Sequence, residues 1–105
     1  MINETPPEQL YNLPFVLAYA ALDEVLGELV KQGTVPRQKK ARPLLGAKME
    51  ASRSVLPWRN YVLVESGKAA RNDLAHNAKL LDKAACFKFI DAIEAELKYW
   101  GVLAT

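Results

Sequence analysis

From Cys86 to Trp100 the apolar side chains recur at i, i+3, i+4, i+7, i+11 and i+14: Cys86, Phe89, Ile90, Ile93, Leu97 and Trp100. An α-helix gathers such a series onto one face, because its side chains turn about 100° per residue. The same period governs the rest of the chain. Leu22, Val25, Leu26 and Leu29 fall at i, i+3, i+4 and i+7 within a pattern running from about Pro14 to Gln32. A shorter helix is expected over Pro43 to Val55, with Leu45, Met49 and Leu56 inward. A third pattern opens at Pro57 and reaches about His76, with Val62, Leu63, Ala70 and Leu74 at helical spacing. Strand signals are nearly missing, since the β-branched and aromatic run Tyr61-Val62-Leu63-Val64 lies inside that third pattern. The expected fold class is all-α.

Local signals punctuate these patterns. Asn12 is a candidate cap for the first helix, Pro14 fits its first turn and Gly33 its stop. Thr5-Pro6-Pro7-Glu8 reads as a capping box, which predicts a short extra turn ahead of it. Asp82 caps the last helix and Gly101 ends it. Gly67 lies within the third helix at a cost of about 1 kcal/mol against alanine. It is either a tolerated glycine or the point where another helix comes close. Four helices with short connections predict an up-down four-helix bundle. With 105 residues the chain forms one domain, 1–105, and can bury roughly two thirds of its unfolded surface in one core. The wide apolar face of the last helix, with Phe87, Tyr99 and Trp58 near or off the stripes, predicts a homodimer that completes this core.

Charge is unevenly placed. Residues 1–30 carry Glu4, Glu8, Asp23, Glu24 and Glu28 and no Lys or Arg, whereas 31–53 carry Lys31, Arg37, Lys39, Lys40, Arg42, Lys48 and Arg53 against Glu50. The net charge of +2 is too mild to mark a nucleic-acid binder by its total. The basic block points either to a polyanion partner or to pairing between faces of the molecule. Arg37, Lys39, Lys40 and Arg42 in the connector are the candidate RNA-binding residues; the plainer reading is a solvated loop. Met1 to Gln9 holds two acids and no base, unlike an export signal. The longest apolar stretch, Leu13 to Leu22, is 10 residues and contains Pro14, whereas a membrane span needs about 20. Cys86 is the lone cysteine, so it forms no internal disulfide and reads as an inert core thiol. The expectation is a cytoplasmic protein with no membrane partner.

Chemistry is concentrated in one place. One His and one Cys cannot make a metal site of the usual kind, and Asp91 and Glu94 on the last helix read as a solvated face. No metal and no cofactor are expected. What remains is Arg71-Asn72-Asp73-Leu74-Ala75-His76, which contains the sole histidine. Imidazole can take and give a proton near neutral pH. Guanidinium is always charged and grips phosphate oxygens with two donors. Together they suffice for RNA cleavage without a metal. His76 would deprotonate the ribose 2′-hydroxyl or protonate the leaving 5′-oxygen, and Arg71 would stabilise the phosphorane.

Geometry constrains that pair. Five residues along a helix turn through 500°, so Arg71 and His76 leave a straight helix about 140° apart. Either the helix ends near Ala75 and His76 turns back, or a second subunit supplies the missing member. Asn77 favours the first, because Asn tolerates the left-handed C-terminal conformation. Asn72 lies four residues before His76 on the same face, where its amide could fix the imidazole tautomer.

Arg71-Asn72 followed by three residues and His76, at the end of a third helix and before an amphipathic last one, resembles the HEPN domain (higher eukaryotes and prokaryotes nucleotide-binding). Pro43-Leu44-Leu45-Gly46 is similar to the start of that family's second helix. The resemblance covers about residues 10–103. It implies an up-down four-helix bundle, a homodimer with two motifs facing each other across a cleft, and a metal-independent endoribonuclease that leaves a 2′,3′-cyclic phosphate. It also implies a role as a toxin in toxin–antitoxin, phage-defence or stress systems, with RNA as substrate and an antitoxin as partner. One toxin branch ends its motif in His-x-Tyr, the Tyr being modified by its antitoxin. Here the residues are His76-Asn77-Ala78, so that mode of regulation is not expected. The alternative is a catalytically inactive HEPN-like module for dimerisation or RNA binding. A helix-turn-helix DNA reader fits poorly, because the last helix shows an apolar stripe with acids where base-reading residues are needed.

Overall fold

The computed structural model describes residues 8–37 and 44–102. A 3₁₀ turn, Glu8–Tyr11, leads into α1 (Asn12–Lys31), followed by α2 (Leu45–Ser52), α3 (Tyr61–Asn77) and α4 (Lys83–Tyr99). The described residues contain no strand, and the helices assemble into a four-helix bundle, as the periodicity predicts. None of these helices is long and apolar enough to cross a membrane.

The core gathers along α1 and α4. Phe15, Tyr19, Leu22 and Leu26 of α1 are fully buried, and Cys86, Phe89, Ile93 and Leu97 of α4 meet them. Each large apolar side chain withdrawn from water contributes about 1.5–3 kcal/mol before the entropy of ordering is counted. The two helices share a direction. Tyr11 stacks near Phe87 (centroids 5.1 Å) and Phe15 near Phe89 (5.8 Å), while Asn12 reaches the turn just before α4. α3 runs against α4, bringing Asn60 to Glu96 and Gly67 to Phe89. Short connections predict strict alternation, and the shared direction of α1 and α4 departs from it.

Several ends differ from the sequence-based expectation, each for a visible reason. Asn12 does not cap α1. Its side chain donates to the Leu81 carbonyl (2.8 Å) and accepts from the Leu81 N–H (2.9 Å), tying the first helix to the turn before the last. Pro57 does not open α3. Glu96, only 2% exposed, reaches across from α4 and accepts from the N–H groups of Arg59 (2.8 Å) and Asn60 (2.7 Å). With those donors taken from outside, the helix starts at Tyr61, and the Asn60 side chain caps it by accepting from the Leu63 N–H. α2 stops at Ser52, where the hydroxyl donates to the Met49 carbonyl and accepts from the Trp58 indole. Gly33 and Gly101 end α1 and α4 in the left-handed region, and Asp82 caps α4 by accepting from the Ala85 N–H, all as expected.

The inward face of α3 is also rotated from the expected one. Tyr61, Val64 and Gly67 are buried, Leu63, Ala70 and Leu74 partly so, and Val62 lies outside. Gly67 sets this phase. A β-carbon there would overlap the Tyr19 hydroxyl and lie 2.6 Å from Phe89 Cδ1. Of the two readings of this glycine, close approach is the right one: α3 touches α1 and α4 where it has no side chain.

Candidate active site

The motif occupies the last two turns of α3. The helix continues unbroken through His76 and ends at Asn77, so His76 does not turn back out of the helix as one alternative supposed. The left-handed residue is Ala78 (φ 52°), not Asn77. The Asn77 amide instead donates to Asp73 Oδ1 at 2.9 Å, an i, i+4 bond that keeps it helical, and the Ala78 N–H closes on the Leu74 carbonyl at 3.1 Å.

Arg71, Asn72 and His76 nevertheless line one cleft of about 580 Å³. Its other walls are Asp23 of α1, residues Leu44 to Ala47 at the start of α2, and Lys68 of α3. The same three motif residues also border a second recess, of about 430 Å³, closed by Val16, Leu74 and Ala75. They therefore form a ridge between two hollows. Arg71 has the longest side chain of the three. Its Nη2 comes within 3.5 Å of Asn72 Oδ1, and Asn72 shares a helix face with His76. Asn72 thus faces the guanidinium, and among the described residues it makes no hydrogen bond to His76, so the expected tautomer-fixing contact is not formed.

Charge within the cleft is unbalanced. The carboxylate of Asp23 is held by Lys48 at 2.8 Å, with the Lys48 side chain only 16% exposed. Among the described residues neither Arg71 nor Lys68 makes an ion pair. Arg71 also lies near Tyr19, whose hydroxyl donates to the Val64 carbonyl at 2.7 Å. Burial pushes that hydroxyl well above its usual 10.0, with the charge of Arg71 pulling the other way. An open cleft with one imidazole and two cations that make no ion pair among the described residues can bind an anion and move a proton beside it.

The remaining candidates fall elsewhere. Arg37 is exposed just after α1, and Lys39, Lys40 and Arg42 lie outside the described residues. Asp91 and Glu94 are exposed on α4, Glu94 pairing with Lys98 at 3.0 Å. Among the described residues no group of three or more His, Cys, Asp or Glu could hold a metal ion. Cys86 is fully buried, and burial raises its thiol above the usual range. Sequence reasoning missed Lys68, Asp23 and Lys48. Lys68 was within reach of it, since Lys68, Asn72 and His76 stand at i, i+4 and i+8. Asp23 and Lys48 carried no signal, because their meeting depends on how α1 and α2 pack. Comparison with protein-family models, with curated proteins and with solved structures finds no match to this chain.

Proposed function

We propose that the chain is a metal-independent endoribonuclease of the HEPN type, working as a homodimer on RNA. The reading rests on one observation: the sole imidazole lines the same cleft as a guanidinium that makes no ion pair among the described residues. In the reaction the ribose 2′-oxygen forms a bond to phosphorus and the bond from phosphorus to the 5′-oxygen breaks. The 2′-hydroxyl proton passes to His76, and a proton goes to the departing 5′-oxygen. Arg71 donates to the phosphorane oxygens, whose negative charge grows in the transition state. The products are a 2′,3′-cyclic phosphate and a free 5′-hydroxyl. In a dimer two imidazoles would face one phosphate, so that one takes the proton while the other gives. The connector cations Arg37, Lys39, Lys40 and Arg42 would hold the strand through its phosphates. A toxin or defence role, with an antitoxin as partner, follows from the family resemblance.

The test is RNA cleavage by purified protein in excess EDTA. Arg71→Ala and His76→Ala should each lower the rate by about 10²–10⁴-fold. Both side chains lie at the surface or partly so, and their loss should change stability by no more than about 0.5 kcal/mol. Cleavage that survives either substitution refutes the mechanism. A solution mass equal to one 11.7 kDa chain refutes the dimer.

A further inference from the structure

The cleft holds a cation that the motif does not contain. Lys68 stands one turn before Asn72 and two before His76, so the three form a row along α3. Its stem lies across the start of α2. A β-carbon on Gly46 would fall 3.1 Å from Lys68 Nζ, 3.7 Å from Cε and 3.8 Å from Cδ. Glycine at 46 lets the ammonium group pack close; an alanine there would ask it to give by a few tenths of an ångström. Lys68 is half-buried, and among the described residues it has no carboxylate partner. Asp23, the one carboxylate of the cleft wall among the described residues, is taken by Lys48. A partly desolvated ammonium with no counter-charge gains most from an anion that enters the cleft.

We propose that Lys68 is a second phosphate-binding residue of this cleft. It grips a phosphate of the same strand next to the one between Arg71 and His76. The identity of the anion rests on the ribonuclease reading. The placement of the cation rests on the packing of Lys68 against Gly46. Lys68 acts as a positioning residue: two cations a turn apart on α3, touching successive phosphates, fix the register of a strand where one would let it slide. The site therefore takes a polynucleotide in preference to a mononucleotide.

The full chain is titrated against a fluorescent single-stranded oligonucleotide made wholly of 2′-deoxynucleotides, which lacks the attacking hydroxyl. Anisotropy is followed from 50 to 200 mM salt, and RNA cleavage is measured separately. Lys68→Ala should weaken binding about tenfold at low salt, the effect of one charged hydrogen bond. Its salt slope should fall by about 0.7, one single-strand phosphate contact. Lys68→Arg should restore most of both, and Lys88→Ala on the exposed side of α4 should change neither. Wild-type affinity and slope in Lys68→Ala overturn the proposal, as does a loss that Lys68→Arg leaves unrepaired, or wild-type protein that does not bind the probe. If wild type binds but cuts no RNA, the ribonuclease reading falls, while the slope change still decides the role of Lys68.

Discussion

Replacing Gly67 with alanine adds one methyl group at the point where α1, α3 and α4 meet. Two effects oppose each other. In a helix interior the change from glycine to alanine gains about 1 kcal/mol. Against this, the new carbon overlaps the Tyr19 hydroxyl and lies 2.6 and 2.8 Å from Phe89 Cδ1 and Cγ. Tyr19 cannot move aside cheaply, because it is fully buried and its hydroxyl is bonded to the Val64 carbonyl. Overpacking of this kind costs about 1–3 kcal/mol, and breaking the buried hydrogen bond a further 1–3 kcal/mol. Packing wins, and Gly67→Ala should lose about 3 kcal/mol, lowering the melting temperature by roughly 15 °C in a domain of this size. Urea denaturation followed by circular dichroism should show a lower midpoint at unchanged slope. A second arm identifies the obstacle. In a Tyr19→Phe background the nearest obstacle is gone and no tyrosine hydrogen bond is left to break, so the cost of the alanine should shrink by about 1 kcal/mol or more. A Gly67→Ala protein as stable as wild type would refute the close approach. Strict additivity with Tyr19→Phe would refute the part assigned to the hydroxyl.

Three further outcomes are expected. Glu96→Gln replaces a buried double acceptor with a group that presents a donor to one of two N–H groups; it should cost about 2–4 kcal/mol in denaturant titration, and a change under 0.5 kcal/mol would contradict the capping role. Burial raises Tyr19 and Tyr61 above 10.0 and Cys86 above 9.0, so as pH climbs through those values the unfolded chain releases protons that the folded chain keeps. Stability should therefore fall from about pH 9 upward, and less steeply in Tyr19→Phe; a flat profile between pH 8 and 11 would count against it. Cys86 should resist a maleimide reagent at pH 7 in the native protein and react at once in 6 M guanidinium, whereas fast native labelling would show that α4 opens readily.

The bundle was legible because burial is written along each helix as a period. Leu22 and Leu26, or Phe89, Ile93 and Leu97, occupy the positions their spacing assigns. The helix ends were legible wherever the local residue does the work, at the start of α4 (Asp82) and at the stops Gly33 and Gly101. Ends governed from a distance were not. Nothing near Pro57 says that Glu96, far along the chain, will hold Arg59 and Asn60. Asn12 looks like a cap because its partner, Leu81, is remote in sequence. The phase of α3 was misjudged at Val62 for a related reason. A glycine carries no apolar weight in a periodicity, yet Gly67 marks the inward line. At the candidate site the motif named Arg71, Asn72 and His76, but the opposite wall, from Asp23 to Gly46, exists only once α1 and α2 are packed.

Ala78 gives the cleft an uneven firmness. A residue with a β-carbon held at φ 52° costs about 1–2 kcal/mol relative to glycine, and that cost falls two positions after His76. Upstream, Val64 and Gly67 are clamped against Tyr19 and Phe89; downstream, the final turn is exposed on nearly every side. Amide exchange along α3 should accordingly be slow near Val64 and quick from Ala75 onward. On that expectation the guanidinium, one turn from the clamped Gly67, should hold its place while the imidazole, one residue from the end of α3, should swing toward a bound strand.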